Sequence, residues 1–105
     1  MKTVRVVHNR KQKFDVYIGR PSKWGNQFEI GQDGNRTECI EKYREWFHSP
    51  EQKQLRVEAI KELTDKTLGC WCYPKACHGQ VLVEFVDSVK VSRQTGVIGV
   101  QEAIR

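Results

Sequence analysis

The sequence predicts a single small domain of the α/β class. Its elements are an N-terminal β-hairpin, a central strand and about three helices packed on the sheet, an order that is α+β-like because the hairpin comes first. The chain has 105 residues, enough for one modest hydrophobic core and too few for two. β-branched and aromatic runs indicate strands, and apolar residues at three- and four-residue spacing indicate helices. We expect the domain to span residues 1–90, followed by a C-terminal extension at residues 91–105 that forms a strand, an oligomer contact or a tail.

The first third of the chain predicts strands and turns. Residues 3–8 and 14–18 are β-branched or aromatic runs separated by a polar segment, which is typical of a β-hairpin. Residues 19–26 contain glycine, proline, serine and asparagine, which favour turns and indicate a loop that leaves the end of a strand. Residues 28–30 form a candidate third strand, closed by a turn at residues 31–34.

Two amphipathic helices are predicted next. The first spans Arg36–Phe47, because apolar residues recur there at helical spacing. Its inward residues are Cys39, Ile40, Tyr43, Trp46 and Phe47. The second begins after Ser49 and ends near Leu63. Pro50 occupies its first helical position, and Gln52 completes a capping pattern with Ser49. Its inward residues are Leu55, Ala59, Ile60 and Leu63.

The rest of the domain is predicted to be a buried strand followed by a third helix. The strand covers residues 67–72 and the helix covers residues 77–89. The inward residues of this helix are Val81, Leu82, Phe85, Val86 and Val89. The junction between the two elements carries several reactive side chains and is therefore a candidate site.

The charge balance favours anionic partners. Lysine and arginine outnumber aspartate and glutamate by 18 to 13, a formal net charge of +5, which suits nucleotides, phosphorylated metabolites or nucleic acid. The cations are spread along the chain, as they are for simple solubility, so direct nucleic-acid binding is the weaker alternative. No stretch approaches the roughly 18 apolar residues of a membrane span, and the N-terminus lacks a secretory pattern. We therefore expect a cytoplasmic protein without a membrane partner.

Cysteines and a histidine near residue 70 form a candidate metal site. In a cytoplasmic chain, cysteines are expected to be thiols, metal ligands or reactive groups rather than disulfides. Cys70 and Cys72 project from the same face of the predicted strand. A turn through Pro74 would bring Cys77 and His78 back toward them, giving a zinc site of three cysteines and one histidine, although the usual ligand spacing is lacking. The alternative is that the cysteines are small buried hydrophobic residues.

Cys77 and His78 are also the candidate catalytic residues. Cys77 falls near the first turn of the third helix, where main-chain N–H groups and the helix dipole lower the pKa of a thiol and bind anions. His78 suits a general acid or base, because histidine titrates near neutral pH. Adjacent helical residues point about 100° apart, so a hydrogen-bonded structural histidine is the stronger interpretation than a catalytic pair.

The loop at residues 20–26 combines groups suited to a nucleotide. The candidate ligand-binding residues are Arg20, Ser22, Lys23, Trp24, Gly25 and Asn26 in this loop, with Trp71, Cys77 and His78 from the second segment. The loop supplies cations, a hydroxyl, an aromatic face, room for close backbone approach and an amide. It matches neither a Walker pattern nor G-x-G-x-x-G, so the alternative is a structural loop in which Trp24 caps the core. Trp46 and Trp71 are assigned mainly to the core.

These motifs occur together in one known family. The segments VYIGRPSKWGN at residues 16–26, Asp33-Gly34, YREW at residues 43–46, and LGCWC at residues 68–72 followed by Cys77-His78-Gly79 resemble the domain-of-unknown-function 4326 family. The resemblance covers about residues 16–85 and implies a compact α/β fold, relatives in bacteriophages and bacteria, and no assigned activity. Gln27 stands where the family usually has proline, and Cys39 lies outside the motifs. The transferable site residues are Cys70, Cys72, Cys77 and His78.

The sequence supports a leading hypothesis and two alternatives. The leading one is a small phage-type protein of the host cytoplasm that binds, and sequesters, a nucleotide or nucleotide-derived phosphorylated signal. Arg20, Lys23 and the helix start near Cys77 would hold phosphate, and Trp24 would stack on the base. The alternatives are an enzyme of nucleotide or nucleic-acid modification that uses a Cys/His site, and a zinc-stabilised module that binds nucleic acid or protein. Homo-oligomers are compatible with each, and all require residues 20–26 and 70–78 to converge.

Overall fold

A computed structural model describes residues 4–72 and 75–95 of the chain. Within these residues the strands are β1 (Arg5–His8), β2 (Val16–Tyr17) and β3 (Thr67–Cys70), and the helices are α1 (Arg36–Phe47), α2 (Lys53–Leu63) and α3 (Gly79–Thr95), with a 3-10 turn at Pro50–Gln52 before α2. Apolar side chains from the helices and the sheet fill one core. The predicted α/β class is confirmed.

The sheet is parallel, and β3 lies between the other two strands in the described part of the chain. Val6 of β1 and Val16 of β2 both have Leu68 as their partner, from opposite sides of β3. The predicted central strand is therefore confirmed. The predicted hairpin is wrong, because β1 and β2 run in the same direction and each pairs with β3.

The polar segment at residues 9–15, predicted as a hairpin turn, instead crosses β3. Near one end of that strand, the main-chain N–H of Asn9 donates to the Cys70 carbonyl oxygen at 3.1 Å. Further along, the Phe14 ring lies against Gly69 so closely that a Cβ on this glycine would be 2.5 Å from Phe14 Cγ. Gly69 therefore provides the space through which the crossing segment passes.

Helix α1 has the predicted bounds and a capping box. The Asn35 side chain accepts the Glu38 main-chain N–H at 2.8 Å, and the Glu38 carboxylate accepts the Asn35 N–H at 2.9 Å. Trp46 is partly buried against the core, and the other predicted inward residues are buried. The side chains of α1 therefore pack as its periodicity predicts.

Residues 28–30, predicted as a third strand, do not form one. Their main-chain N–H groups bond to side chains instead, that of Phe28 to Asn26 Oδ1 at 2.9 Å and that of Glu29 to Asp33 Oδ2 at 2.8 Å. Such local bonds replace the ladder of a sheet. The turn predicted directly after this segment is confirmed.

Helix α2 starts later than predicted, and Ser49 does not cap it. The Ser49 hydroxyl donates to the Trp46 carbonyl oxygen at 2.7 Å, and the 3-10 turn precedes the helix. Arg56 of α2 is 1% exposed, and its guanidinium donates to the carbonyl oxygens of Phe47 and Ser49. It thereby supplies a donor to the Phe47 carbonyl at the end of α1 and a second donor to the Ser49 carbonyl, which also accepts the Gln52 N–H. Among the predicted inward residues, the buried ones are Ala59 and Leu63 and the partly buried ones are Leu55 and Ile60.

Helix α3 buries its predicted inward residues, which are Val81, Leu82, Phe85, Val86 and Val89. It begins at Gly79, after Cys77 and His78, and continues past Val89 to Thr95. The predicted extension at residues 91–105 therefore starts inside this helix, and residues 96–105 lie outside the described residues. No helix in the described ranges is long and apolar enough to cross a membrane.

The first turn of α3 packs closely on the sheet because residue 79 is glycine. A Cβ at Gly79 would lie 2.8 Å from Ile18 Cδ1 and 2.8 Å from Val6 Cγ2. Protein cores are close-packed, so these side chains have little room to withdraw. The glycine therefore brings the residues just before α3 against the end of β2.

We predict that Gly79→Ala lowers the free energy of unfolding by roughly 1–3 kcal/mol, because overpacking outweighs the better helix propensity of alanine. Chemical denaturation measures the change. Gln80→Ala, at the exposed next position, is the control and should stay within about 0.5 kcal/mol of the parent chain. A Gly79→Ala chain as stable as the parent would show that α3 has room to move away from the sheet.

Candidate functional site

The two predicted site segments meet in the structure. Nε2 of His78 lies 2.7 Å from the carbonyl oxygen of Ile18, directly before the loop that begins at Gly19. Beside this contact is a cavity of about 430 Å³. Its lining includes Gly19, Arg20 and Asn26 from the first segment, and Cys70, Trp71, Cys72, Cys77 and His78 from the second. The convergence on which the functional hypotheses depend is therefore present.

Cys70, Cys77 and His78 form the buried floor of this pocket. A thiol sulfur or ring nitrogen from each lies within 4.8 Å of those from the other two, and the sulfurs are 3.4 Å apart. Soft donors of these types are the ligands that zinc prefers. Cys72 is half-buried beside the floor, and its main-chain N–H donates to the Cys70 sulfur at 3.4 Å. The structure thus brings three of the four predicted metal ligands together.

Hydrogen bonds and burial set the protonation of the floor. The hydrogen bond with Cys70 lowers the pKa of Cys77, and main-chain N–H groups at the start of α3 act in the same direction. That hydrogen bond, together with burial, raises the pKa of Cys70. Burial lowers the pKa of His78, and the nearby charge of Arg20 adds to this effect. Cys77 is therefore the more acidic thiol of the pair, and His78 is neutral at pH 7.

Arginine side chains lie around the mouth of the pocket. Arg20 is 58% exposed along its side chain and pairs with the Glu29 carboxylate at 3.1 Å. Arg36, in the first turn of α1, donates to the Ala76 carbonyl oxygen at 3.0 Å and so joins α1 to the segment before α3. Both arginines line the cavity. Glu29 also lines the cavity, so the charged groups of its rim, among the described residues, are two arginines and one carboxylate, with a positive balance.

Trp71, assigned mainly to the core from the sequence, lies at the rim and is 51% exposed. Its indole N–H donates to the Tyr17 hydroxyl at 2.8 Å, and the guanidinium carbon of Arg10 lies 4.8 Å from its ring centroid. The core assignment is wrong because β3 ends at Cys70, one residue earlier, so Trp71 has left the sheet. Its position is compatible with the other role predicted for it, contact with a ligand.

Trp24 and Lys23 of the predicted nucleotide loop do not face the pocket. Trp24 is 2% exposed, and its carbonyl oxygen accepts the Tyr43 hydroxyl at 2.9 Å. A ring without a free face cannot stack on a ligand, so the stacking role is corrected and the structural alternative holds for this residue. The Lys23 ammonium donates to Glu58 and Glu62 of α2, at 2.7 Å each, and is not among the described residues that line the pocket.

The other residues of the loop have local partners. The Ser22 hydroxyl accepts a main-chain N–H within the loop at 3.3 Å. Gly25 packs so closely that a Cβ there would lie 3.1 Å from Arg20 Cα. The Asn26 side chain donates to the Cys39 carbonyl oxygen at 3.3 Å and also lines the pocket. The loop therefore presents Arg20 and Asn26 to the pocket and uses its remaining side chains to hold its shape.

Sequence analysis missed Arg36 and the pocket wall formed by residues 28–30. A cation in the first turn of a helix opposes the helix dipole, and this was the available signal for Arg36. The wall gave no comparable signal, because an alternating apolar run fits a strand equally well. Arg36 and residues 28–30 line the cavity because of tertiary packing, which the local sequence does not specify.

Comparison with models of known protein families identifies the family of this chain. The family model described as Domain of unknown function (DUF4326) matches residues 2–88. The chain belongs to this family. The matched region contains the floor and the rim of the pocket, so the candidate site lies within the DUF4326 domain. The resemblance drawn from the motifs is confirmed.

Relatives of this DUF4326 chain occur in viruses. It is 35% identical over 85 residues to the uncharacterized 12.4 kDa protein of the nrdA-td intergenic region of Enterobacteria phage T4, with 79% of this chain and 77% of that protein covered. It is 36% identical over 108 aligned residues to an uncharacterized protein of Acanthamoeba polyphaga mimivirus, with 83% and 80% covered. No solved structure matches the chain.

We predict that Lys23→Gln lowers stability slightly at neutral pH and less in acid. Hydrogen bonding from Lys23 lowers the pKa of Glu58, so the contribution is present above the ordinary carboxyl pKa and is lost as the pH falls through the lowered pKa of the folded chain. The effect is small because these groups are exposed. Urea denaturation of parent and variant from neutral to acid pH measures the effect, as the difference between their two midpoints at each pH.

Lys53→Gln is the control for this experiment, because it removes the same charge from the exposed start of α2. Its midpoint should differ from that of the parent by an amount that does not change in acid. If the Lys23→Gln difference also stays constant with pH, the link between the loop and α2 does not act through an ion pair.

Proposed function

We propose that this protein binds a nucleotide or a nucleotide-derived phosphorylated ligand in the pocket. The observation that carries the proposal is that a single cavity of about 430 Å³ gathers Arg20, Arg36 and the exposed indole of Trp71. Small-molecule sites commonly have volumes of roughly 300–1,000 Å³. A phosphate needs cations and a base needs a flat apolar face, and this pocket offers both.

The phosphate end of the ligand would lie between Arg20 and Arg36. A guanidinium presents its donors in a planar fork that matches two phosphate oxygens. Arg20 has an exposed ion pair with Glu29, which water screens and an anionic ligand can displace. Arg36 takes the place that the sequence gave to Lys23, because Lys23 is bound to α2.

The base end of the ligand would lie against Trp71, which takes the role that the sequence gave to Trp24. Among the described residues, large apolar side chains with more than half of their surface exposed are Trp71 and Ile30, the latter at 55%. Both line this pocket. Exposed apolar groups gathered in a concave surface are typical of a ligand site.

The role we propose is capture of a signalling nucleotide in the host cytoplasm. The formal net charge of +5 favours the approach of anions, and the relatives in phage T4 and mimivirus support a viral-type role. The alternative is an enzyme that modifies a nucleotide, because the Cys77 sulfur lines the pocket where the ligand would lie. A pocket of this size favours a small ligand over a nucleic-acid strand.

We predict that Arg20→Gln weakens nucleotide binding by roughly tenfold to a hundredfold and that Glu29→Gln strengthens it. A hydrogen bond to a charged group contributes about 1.5–3 kcal/mol, and each 1.4 kcal/mol is about tenfold in Kd. Glu29→Gln removes the carboxylate that competes with the ligand for the same guanidinium. Calorimetry with AMP, ADP, ADP-ribose and a cyclic dinucleotide measures the Kd.

Lys23→Gln is the matched control, because it removes the same charge from the same loop at a side chain that points to α2. Its Kd should equal that of the parent chain. The proposal fails if none of these nucleotides binds at millimolar concentration, or if the Arg20 and Lys23 variants lose affinity equally. Chromatography of each nucleotide after incubation would reveal conversion, which would favour the enzyme alternative.

We predict that Trp71→Ala weakens binding of the nucleotide by roughly fivefold to a hundredfold and leaves binding of inorganic pyrophosphate unchanged. Stacking acts on the base alone and contributes about 1–3 kcal/mol. Trp71→Phe keeps an aromatic face and should retain most of the affinity. An equal loss for pyrophosphate in Trp71→Ala would mean that the indole supports the shape of the rim and does not contact the base.

A further inference from the structure

We propose that Cys70, Cys77 and His78 bind one divalent cation of the zinc class, with its fourth coordination position open toward the pocket. The inference goes beyond nucleotide binding and does not depend on it, because it rests on the floor of the pocket and not on its rim. The ligands come from separate elements: Cys70 ends β3, whereas Cys77 and His78 precede α3. The packing of Gly79 on the sheet holds these elements together.

The floor has spacing close to that of a tetrahedral site. Zinc binds thiolate sulfur at about 2.3 Å and imidazole nitrogen at about 2.0 Å, so neighbouring ligand atoms lie roughly 3.5–3.8 Å apart. The two sulfurs are 3.4 Å apart, and the three ligand atoms lie within 4.8 Å of one another. Small side-chain rotations would therefore bring all three to bonding distance of one ion.

The tautomer of His78 leaves one ring nitrogen able to bind a metal. A carbonyl oxygen only accepts hydrogen bonds, so the 2.7 Å contact with Ile18 requires the proton on Nε2. The neutral ring then has its lone pair on Nδ1. Metal-binding histidines commonly donate their other ring N–H to a main-chain carbonyl or a carboxylate, which fixes the tautomer and the ring orientation. The Ile18 carbonyl supplies that support here.

The sulfurs also have the surroundings that metal-bound thiolates need. Metal binding would release one proton from each thiol to solvent and leave two negative charges on the floor, held by the cation. The Cys72 main-chain N–H already donates to the Cys70 sulfur at 3.4 Å. The main-chain N–H groups of Gly79 and Gln80, at the start of α3, favour the thiolate form of Cys77. These donors stabilise thiolates in a buried place where an unpaired charge would be unfavourable.

The fourth position would face the pocket because all three ligands line it. The Cys72 thiol is outside the described group of converging ligand atoms, although the sequence predicted it as a ligand. Structural zinc sites use four protein ligands, whereas sites that act on a ligand keep one position open. A water molecule or an anionic group would occupy the open position.

The test uses the full chain, stripped of metal by a chelator and kept reduced, and titrated with Co²⁺ alone. We expect the visible bands of tetrahedral Co²⁺ with thiolate charge-transfer absorption, saturating at about one ion per chain and lost when Zn²⁺ is added. Cys70→Ser, Cys77→Ser and His78→Gln should each weaken binding by more than about tenfold. Octahedral spectra, or saturation far below one ion per chain, would overturn the proposal.

Cys39→Ser is the matched control, because Cys39 is a buried cysteine that lines the same pocket from α1 but is outside the group. It should bind Co²⁺ like the parent chain, and so should Cys72→Ser. Loss of binding in Cys39→Ser to the same degree as in Cys77→Ser would refute the assignment of ligands. Loss in Cys72→Ser would refute the open fourth position.

A second measurement avoids variants that fail to fold. X-ray absorption of the unmodified, zinc-loaded chain should show two sulfur atoms and two lighter atoms around the ion. Three or more sulfurs, or none, would overturn the proposal. Since the only added component is the metal, the result is independent of whether any nucleotide binds.

Discussion

The buried hydrogen bond between the His78 imidazole and the Ile18 carbonyl oxygen joins the two parts of the chain that make the pocket. Gly79 permits the close approach, and the Tyr43 ring meets the imidazole edge-on at a centroid distance of 5.0 Å. A buried polar group left without its partner would cost about 1–3 kcal/mol, so each of the two holds the other in place. This contact therefore places the floor residues Cys77 and His78 next to the loop that carries Arg20.

The loop that carries Arg20 is anchored to the core and to α2. Trp24 is buried in the core, and Lys23 is bound to two carboxylates of α2. The Arg20 guanidinium, three residues earlier, is left exposed at the pocket. A loop anchored in this way would lose little conformational freedom on binding the proposed ligand, which would favour affinity. The two cations of this segment therefore differ, because Lys23 is held by α2 whereas Arg20 lies exposed beside the pocket.

The sequence was sufficient to predict the elements whose structure depends on local periodicity. Arg36–Phe47 and the inward face of α3 were predicted because long helices repeat their apolar residues. The hairpin was wrong because the strand that separates β1 from β2 lies some fifty residues later, and no local pattern encodes it. For the site, both segments were predicted, but Trp24 is buried and Trp71 is exposed, the opposite of what the sequence indicated for these rings. The exposure of Trp71 follows from the end of β3 at Cys70, whereas the burial of Trp24 follows from its packing in the core, and composition specifies neither.

The position of β3 has a consequence for the order in which the chain can fold during synthesis. Arg5 pairs with Thr67, and Val16 pairs with Leu68, so the described part of the sheet cannot form until the ribosome has released the third strand. Contacts this distant along the chain slow folding, because the entropy of closing a long loop is lost before strand pairing can stabilise the closed loop. The N-terminal strands must wait as unpaired chain, and a nascent fragment that ends before residue 67 has no sheet on which to build the pocket.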